Sequence, residues 1–238
     1  MKHIIEPIAY IKSPFTSKFG IPRQSGLAEV KSEIVFEKSY AAPEALRGLD
    51  DYSHLWLIWS FSENLDKGWT PTVRPPRLGG NKRIGVFATR SPFRPNGLGL
   101  SSVKIEEIKT DPKLGPVIVV SGADLMDGTP IFDIKPYISM DCHTDAVCGF
   151  QEHTRDHRLE VVIDEALLSL VEPSYRNGLL ACLSQDPRPS YQDDSERVYG
   201  FPFAGFDVRF DNYPKDDSYL FKLRDKLIAT LKSYKTEL

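Results

Sequence analysis

The feature that most constrains the fold is a succession of short, apolar, β-branched runs in the first 140 residues with almost no helical sequence between them. Parallel strands need crossover connections of about a dozen residues or more, usually helical, and only residues 43–49 read as helix before residue 150. The runs therefore predict a mostly antiparallel barrel or sandwich. The predicted strands cover residues 4–11, 33–36, 55–61, 84–89, 98–108, 116–121 and 130–138.

The sequence pattern changes after about residue 145, from successive strand-like runs to a mixture of helix-like and strand-like segments. Residues 156–164 predict another strand, residues 164–185 a helix interrupted at Pro173, and residues 206–210 an alternating strand. The tail over 218–235 fits both a strand and a helix. We therefore predict a mostly β protein with a β domain over residues 1–145 and a small α+β domain over residues 146–238.

The charge of the chain is distributed unevenly. The whole chain carries a formal charge of −3, yet the window from Lys67 to Lys104 holds eight basic residues and no acidic one. The remainder is therefore at about −11. A charge run is often only a solvated face, but ordinary surfaces mix both signs. The window favours binding of a polyanion, with nucleic acid ahead of a small phosphate ligand.

Membrane and secretory classes are disfavoured. No run approaches the roughly 20 apolar residues of a membrane span, and the first 15 residues become polar too soon for a signal peptide. Cys142, Cys148 and Cys182 make a small, odd number, so reduced thiols are expected. These features predict a cytoplasmic protein without a disulfide framework.

Residues 142–157 hold the one cluster that resembles a metal site, and its members are Cys142, His143, Cys148, His153 and His157. Zinc favours four such ligands, but the gaps are shorter than in a zinc finger and the intervening residues are polar. We expect a solvated interdomain linker and no metal, with zinc as the alternative. Nucleotide and nucleophile motifs are absent, and in "NGLGLSS" Ser102 replaces the third glycine of a dinucleotide turn.

Several blocks together resemble the TsaA-like, or TrmO, family. They run through most of the chain in the family's order: "PRQSGL" at 22–27, "GLDDYSHLWLIW" at 48–59, "RPPRLGGNKRIGVFATRSPFRPNGLGLS" at 74–101, "DLMDGTPIFDIKPY" at 124–137 and "QDPRPSY" at 185–191. The resemblance implies transfer of a methyl group from S-adenosylmethionine to the exocyclic amine nitrogen of threonylcarbamoyladenosine, beside the tRNA anticodon. It also implies a β-barrel methyltransferase domain and a homodimer.

The resemblance also implies which residues contact the cofactor, S-adenosyl-L-methionine. These are Pro22, Arg23, Gln24, Ser62, Glu63, Arg90, Ser102, Ala123, Asp124, Leu125 and Met126. Arg23, Gln24 and Glu63 offer polar groups for an adenine edge, a ribose or a carboxylate. Asp124 also suits a turn, since "ADLMDGTP" contains several turn formers.

The anticodon arm of tRNA is expected to contact Arg94, Asn96, Arg188 and Tyr191. Prolines beside Arg94 and Arg188 stiffen the backbone, so each guanidinium loses less entropy on meeting a phosphate. Gly97 and Gly99 permit positive φ and close approach of a ligand. Tyr191 is suited to stacking on an unpaired base.

Methyl transfer from a sulfonium needs alignment and desolvation but neither a metal nor a covalent nucleophile. This fits a sequence without a recognisable catalytic cluster. The alternative is a noncatalytic module that binds RNA or another anion, and a phosphoester hydrolase is disfavoured by the same lack of a cluster. Stabilisation of the fold by S-adenosylmethionine discriminates an enzyme from a binding module.

Overall fold

Six antiparallel strands form a closed barrel in the computed structural model, which describes residues 3–78, 80–154, 158–188, 197–215 and 218–222. The strands of the described residues are β1 (Ala9–Lys12), β2 (Lys31–Phe36), β3 (His54–Ser60), β4 (Thr72–Val73), β5 (Ile84–Gly85), β6 (Leu98–Asp111), β7 (Gly115–Ser121), β8 (Pro130–Pro136), β9 (Glu160–Val162), β10 (Val198–Phe203), β11 (Phe206–Lys215) and β12 (Ser218–Lys222). The barrel order is β1-β2-β7-β6-β3-β8, and β8 pairs with β1 as well as with β3, which closes the ring.

Strand alternation fills the barrel with side chains. Along β3, Leu55, Leu57 and Trp59 are buried while the residues between them are partly exposed. This period of two is what a strand with one face toward a core requires. The barrel core contains Ala9, Ile11, Ile34, Leu55, Leu57, Trp59, Val103, Ile118, Val120, Ala123, Leu125 and Ile131. The barrel is therefore packed with predominantly aliphatic side chains.

The predicted barrel strands are present, with shifted ends. The first strand begins at Ala9 rather than at residue 4, and Ile4 and Ile5 are exposed. The long strand β6 continues to Asp111, with a register shift between Ile105 and Glu107 opposite β7. Such a bulge bends the strand and increases its twist, which helps a small barrel to close.

Two predictions in this half of the chain are wrong in part. Residues 84–89 form only the two-residue strand β5 followed by a 3-10 turn over Val86–Ala88, because the Val86 carbonyl accepts hydrogen bonds from Thr89 and Arg94. Residues 43–49 form no α-helix. Two 3-10 turns, Pro43–Leu46 and Leu49–Asp51, stand there instead, separated by Gly48 at φ 83°. Further 3-10 turns cover Ser62–Lys67, Pro76–Leu78, Ser139–Asp141 and Gly149–Thr154.

A second sheet lies in the C-terminal part, in the order β10-β11-β12-β9. Strand β9 runs parallel to β12, and the other pairs are antiparallel. Helix α1 (Glu165–Leu170) ends before Pro173, which is the first residue of helix α2 (Pro173–Ser184). The predicted interruption at Pro173 is confirmed, because proline is tolerated in the first turn of a helix and not in its interior.

The core under the second sheet is mainly aromatic and includes residues from the N-terminal half. Phe201, Phe203 and Phe210 pack with Phe15, and Val30 contacts the same cluster. The loop between β1 and β2 therefore belongs to the core of the C-terminal sheet. The boundary near residue 145 stays a prediction, and this core crosses it. Neither α-helix in the described part of the chain has the length and apolar character needed to cross a lipid bilayer.

Candidate functional site

A cavity of about 650 Å³ opens at the end of the barrel where β3 ends and β6 begins. Its walls come from the loop between β1 and β2, the end of β3 and the 3-10 turn after it, residues 89–94, the start of β6 and the segment after β7. Segments that are distant in sequence therefore meet at one barrel end. The apolar part of the wall includes Ile58, Trp59, Phe61 and Leu98.

Most of the residues predicted to contact a cofactor line this cavity. They are Pro22, Arg23, Gln24, Ser62, Glu63, Arg90, Asp124 and Met126. Ala123 and Leu125 lie on either side of Asp124 and are buried in the barrel core, with relative exposures of 1% and 0%. Their side chains therefore serve packing, and only their backbone groups remain for a ligand.

Ser102 does not line either of the two cavities described for this protein, and its neighbour Ser101 lies in the barrel interior instead. Along β6, Gly99, Ser101 and Val103 are buried, whereas Ser102 is partly exposed on the other face. Successive residues of a strand point to opposite faces of the sheet. Ser101 therefore points into the barrel interior, where it bonds to Asp124 of the cavity wall, and the contact of Ser102 with a cofactor stays a prediction.

Ser101 connects a buried tryptophan to the Asp124 carboxyl. The Trp59 indole nitrogen Nε1 donates to Ser101 Oγ at 3.0 Å, and Ser101 Oγ donates to Asp124 Oδ1 at 2.5 Å. Burial raises the pKa of Asp124, and the hydrogen bond from Ser101 and the charge of Arg90 oppose that rise. Asp124 is thus a half-buried carboxyl at the cavity wall, held by a defined donor.

Gly97 and Gly99 of "NGLGLS" are each required for a different physical reason. Gly97 has φ 58°, a conformation that an L side chain rarely adopts, so the predicted positive φ is confirmed there. At Gly99 the reason is space: an added Cβ atom would lie 2.3 Å from the Trp59 ring. Trp59 faces Gly99 directly across the β3–β6 pair. The close approach at Gly99 is therefore made by Trp59.

A larger cleft of about 1230 Å³ adjoins the first cavity. Lys18, Ile21, Arg23, Gln24, Thr89 and Arg90 line both. Arg90 Nη1 donates to Gln24 Oε1 at 2.6 Å, which links the two sides of this shared wall. The basic residues that line the larger cleft are Lys18, Arg23, Arg74, Arg83, Arg90, Arg158 and Arg188, and Glu152 is its acidic residue.

Arg94 organises its own loop. Its Nη1 atom donates to the Thr89 carbonyl at 2.7 Å and to the Val86 carbonyl at 3.2 Å, and its guanidinium lies 5.8 Å from the centroid of the Phe87 ring. Arg94 is half-buried and lines the smaller cavity. The side chain expected to project toward RNA therefore closes the turn that follows β5.

Arg188 is also placed differently from the sequence expectation. Its relative exposure is 5%, and its Nε and Nη2 atoms donate to the two carboxylate oxygens of Asp186 at 2.7 and 2.9 Å. Arg23 Nη2 donates to the Asp186 and Arg188 carbonyls. The expectation of a projecting guanidinium at Arg188 is wrong, because a bidentate ion pair holds it inside the protein.

Two other predicted contacts to RNA are separate from this arrangement. Asn96 is exposed at the turn before β6 and lines neither cavity. Tyr191 lies outside the described residues.

The cluster predicted as a linker or zinc site is only partly described, because His157 lies outside the described residues. Cys142, His143 and Cys148 are exposed, and no group of three metal-ligating side chains occurs among the described residues. Burial raises the pKa of Cys182 to about 12.

The residues that sequence reasoning missed are the apolar wall and the Trp59–Ser101 pair. Strand alternation offered a signal for Ser101, because positions 99, 101 and 103 share one face of β6. Nothing in the local sequence indicated that Trp59 would lie across Gly99, since the pairing of β3 with β6 is a tertiary contact.

The chain matches family models and known proteins over both of its halves. The model of the tRNA-methyltransferase O N-terminal domain matches residues 10–142, and that of the TrmO C-terminal domain matches residues 157–226. A tRNA (adenine(37)-N6)-methyltransferase of Escherichia coli strain K12 is 39% identical over 215 residues, covering 86% of this chain and 91% of that protein. A protein of the same name from Eikenella corrodens is 46% identical over 161 residues, covering 67% and 90%.

Solved structures are similar over nearly the whole chain. A crystal structure of TrmO from Pseudomonas aeruginosa superimposes with a TM-score of 0.71 at 33% identity, covering 93% of this chain and 98% of that one. A second TrmO crystal structure gives a TM-score of 0.73 at 34% identity, with the same coverage.

Proposed function

Because the chain belongs to the TrmO family of tRNA methyltransferases, we propose that it transfers a methyl group from S-adenosylmethionine to the N6 nitrogen of adenosine 37 in tRNA. The acceptor is threonylcarbamoyladenosine, next to the anticodon. The observation that carries this proposal is the pair of adjoining cavities, one of cofactor size and one lined by cations, which share Arg23, Gln24 and Arg90. Such a pair brings a small donor and a large anionic acceptor to a common wall.

The residues of the smaller cavity fit S-adenosylmethionine. Ligand cavities range over roughly 300–1000 Å³ and combine apolar walls with a few placed polar groups, and this one has about 650 Å³. Trp59 and Phe61 supply an apolar side suited to a purine, and Asp124 supplies a carboxyl beneath it. Arg23, Gln24 and Glu63 offer donors and acceptors for the ribose and the methionine end.

When bound, the cofactor supplies an electrophilic methyl group on a sulfonium. The chain's own contribution is alignment, because methyl transfer is an in-line displacement whose rate depends on the approach of donor and acceptor. Arg90 and Gln24 lie between the two cavities and bond to each other at 2.6 Å. We propose that Arg90 and Gln24 form the wall at which the acceptor nitrogen meets the methyl group.

The larger cleft is the proposed site of the anticodon arm. It is lined by exposed basic residues such as Arg74 and Arg83 and by the partly buried rings of Phe93 and Phe150. Cations neutralise phosphates and aromatic rings stack on splayed bases. Asn96 and Tyr191 keep their proposed contacts to tRNA. Arg188 lines the cleft in its ion pair with Asp186, and Arg94 holds the turn that follows β5.

Three features of the organisation are also proposed. Residues 1–145 form the methyltransferase domain, and residues 146–238 form a small α+β domain that contributes to tRNA binding. The protein acts as a homodimer in the cytoplasm, and the exposed side chains of Trp69, Phe87 and Leu100 support a subunit contact. Light scattering of the purified protein at micromolar concentration measures the oligomeric state directly.

The function is tested with purified protein and tRNA that carries or lacks threonylcarbamoyladenosine. We expect S-adenosylmethionine to bind, a methyl group to appear only on the modified tRNA, and the product nucleoside to be identified by mass spectrometry. Binding of tRNA should weaken with salt, by about 0.7 to 0.9 in log–log slope per phosphate contact. A protein that binds tRNA but neither binds the cofactor nor methylates would be the noncatalytic module.

A further inference from the structure

We propose that Ser101 is a positioning residue that orients the Asp124 carboxyl toward the cofactor cavity, and that Trp59 fixes the direction of the Ser101 hydroxyl. The inference rests on the proposed function, because it assumes that the cavity of Asp124 binds S-adenosylmethionine. It assigns to two residues of the barrel interior a role in ligand binding in addition to packing.

The direction of the hydrogen-bond chain follows from the chemistry of its first member. An indole nitrogen only donates, so Ser101 Oγ must accept from Trp59 at 3.0 Å. The single hydroxyl proton of Ser101 is then available to Asp124, whose Oδ1 atom lies 2.5 Å away. A carboxylate has about four acceptor positions, so Asp124 retains acceptor capacity on its cavity side after this bond is made.

The Trp59 ring is held in place by its packing against Phe61 and by its close approach to Gly99. It packs against Phe61 with a centroid distance of 4.4 Å, and it lies over Gly99, where a Cβ atom would come within 2.3 Å. Trp59 and Ser101 have relative exposures of 7% and 1%. Water therefore competes little for the serine hydroxyl, and the donor is oriented before any ligand arrives.

The charge state of Asp124 is a balance that Ser101 influences. Burial favours the neutral acid, whereas donation from Ser101, a backbone N–H of Ser25 and the charge of Arg90 favour the carboxylate. The other charged groups lining the cavity are Lys18, Arg23, Glu63 and Arg94. Removing the Ser101 hydroxyl leaves the burial of Asp124 in place and removes one of the interactions that oppose it.

The test measures binding of S-adenosylmethionine to the tRNA-free protein by calorimetry between about pH 5 and pH 8. We expect Ser101→Ala to weaken binding roughly ten- to hundredfold, as for loss of a hydrogen bond to a charged group. The affinity of the wild type should fall as the pH falls through the pKa of Asp124. In Ser101→Ala this fall should occur at a higher pH, because the carboxylate has lost a stabilising donor.

Ser32→Ala is the matched control. Ser32 is also a buried barrel serine, with a relative exposure of 3%, and its hydroxyl has no hydrogen-bond partner among the described residues. It lies on β2, opposite Val120 and away from both cavities. Its substitution should change neither the affinity nor its pH dependence.

Trp59→Phe covers the case in which Ser101→Ala does not fold. Phenylalanine retains much of the ring packing over Gly99 but cannot donate to Ser101, so we expect binding to weaken roughly three- to tenfold, with a pH shift in the same direction. Asp124→Asn should abolish the pH dependence. The double variant Ser101→Ala/Asp124→Asn should then be little weaker than Asp124→Asn alone, since both substitutions remove the same interaction.

The outcomes separate the two proposals. If the wild type does not bind S-adenosylmethionine, the proposed function fails. If the wild type binds and folded Ser101→Ala binds equally well with the same pH dependence, the positioning role of Ser101 is wrong and the function stands. An additive double variant would likewise overturn the role of Ser101.

Discussion

Two arginines in proline-containing segments, Arg94 and Arg188, look alike in the sequence and differ in the fold. Arg94 precedes Pro95 in an acid-free window, and Arg188 follows Pro187 next to Asp186. In the structure Arg94 is half-buried and bonds two carbonyls of its own loop, whereas Arg188 is almost fully buried in a bidentate pair with Asp186. The first closes a turn beside the smaller cavity, and the second holds the segment after α2.

A stiff backbone near an arginine therefore does not predict an exposed guanidinium. A guanidinium has five donors in a planar fork, which satisfy carbonyls as readily as phosphates. Exposed arginines such as Arg74 and Arg83 occur in the same basic window, on the rim of the larger cleft. We therefore expect stability to depend on Arg188 and Arg94, and RNA affinity to depend more on the exposed residues.

The largest effect is expected for Arg188→Ala. Removing one member of a buried pair leaves the Asp186 carboxylate without its bidentate partner, which typically costs about 3–5 kcal/mol. Urea unfolding monitored by circular dichroism measures the change, and Arg188→Ala/Asp186→Ala should recover part of the loss. Unchanged stability together with a tenfold higher KM for tRNA would restore Arg188 as a direct RNA contact.

A smaller loss of stability is expected for Arg94→Ala. The Val86 and Thr89 carbonyls lose their hydrogen bonds from Nη1, and the cost is about 1–2 kcal/mol because the loop is partly open to water. Arg94→Lys should restore only part of this, since an ammonium cannot reproduce the planar fork. Stability equal to the wild type would show that the turn is held by Thr89 alone.

Arg83→Ala should have the smallest effect on stability, within about 0.5 kcal/mol, because its side chain is exposed and its described hydrogen bond is to Thr72 Oγ1. Its effect should appear in RNA binding instead. If Arg83 contacts one phosphate, the salt slope of tRNA binding should decrease by about 0.7 to 0.9. Filter binding over a range of salt tests this, with Arg94→Ala as the comparison, and an unchanged slope would exclude the contact.

The parts of the fold that local pattern predicted are the apolar, β-branched runs of the barrel. These runs identified β3, β6 and β7 to within a few residues, and Pro173 marked the break between α1 and α2. The strand predicted over residues 84–89 is largely absent because the Val86 carbonyl accepts a hydrogen bond from Arg94, eight residues later. A strand pattern carries no information about such a competing donor.

The sequence by itself determined the strand-rich architecture and the basic window, because these depend on residue type and local spacing. Its resemblance to the family implied eight residues that line the smaller cavity. Only the tertiary structure decided that Ser101 rather than Ser102 faces Asp124, that Trp59 occupies the space above Gly99, and that Arg188 is buried. Strand register and side-chain pairing set these three features. Register arises from contacts between segments far apart in the chain, where a shift of one residue reverses which face is buried. Arg188 pairs with the nearby Asp186, and the distant Arg23 donates to the Arg188 carbonyl.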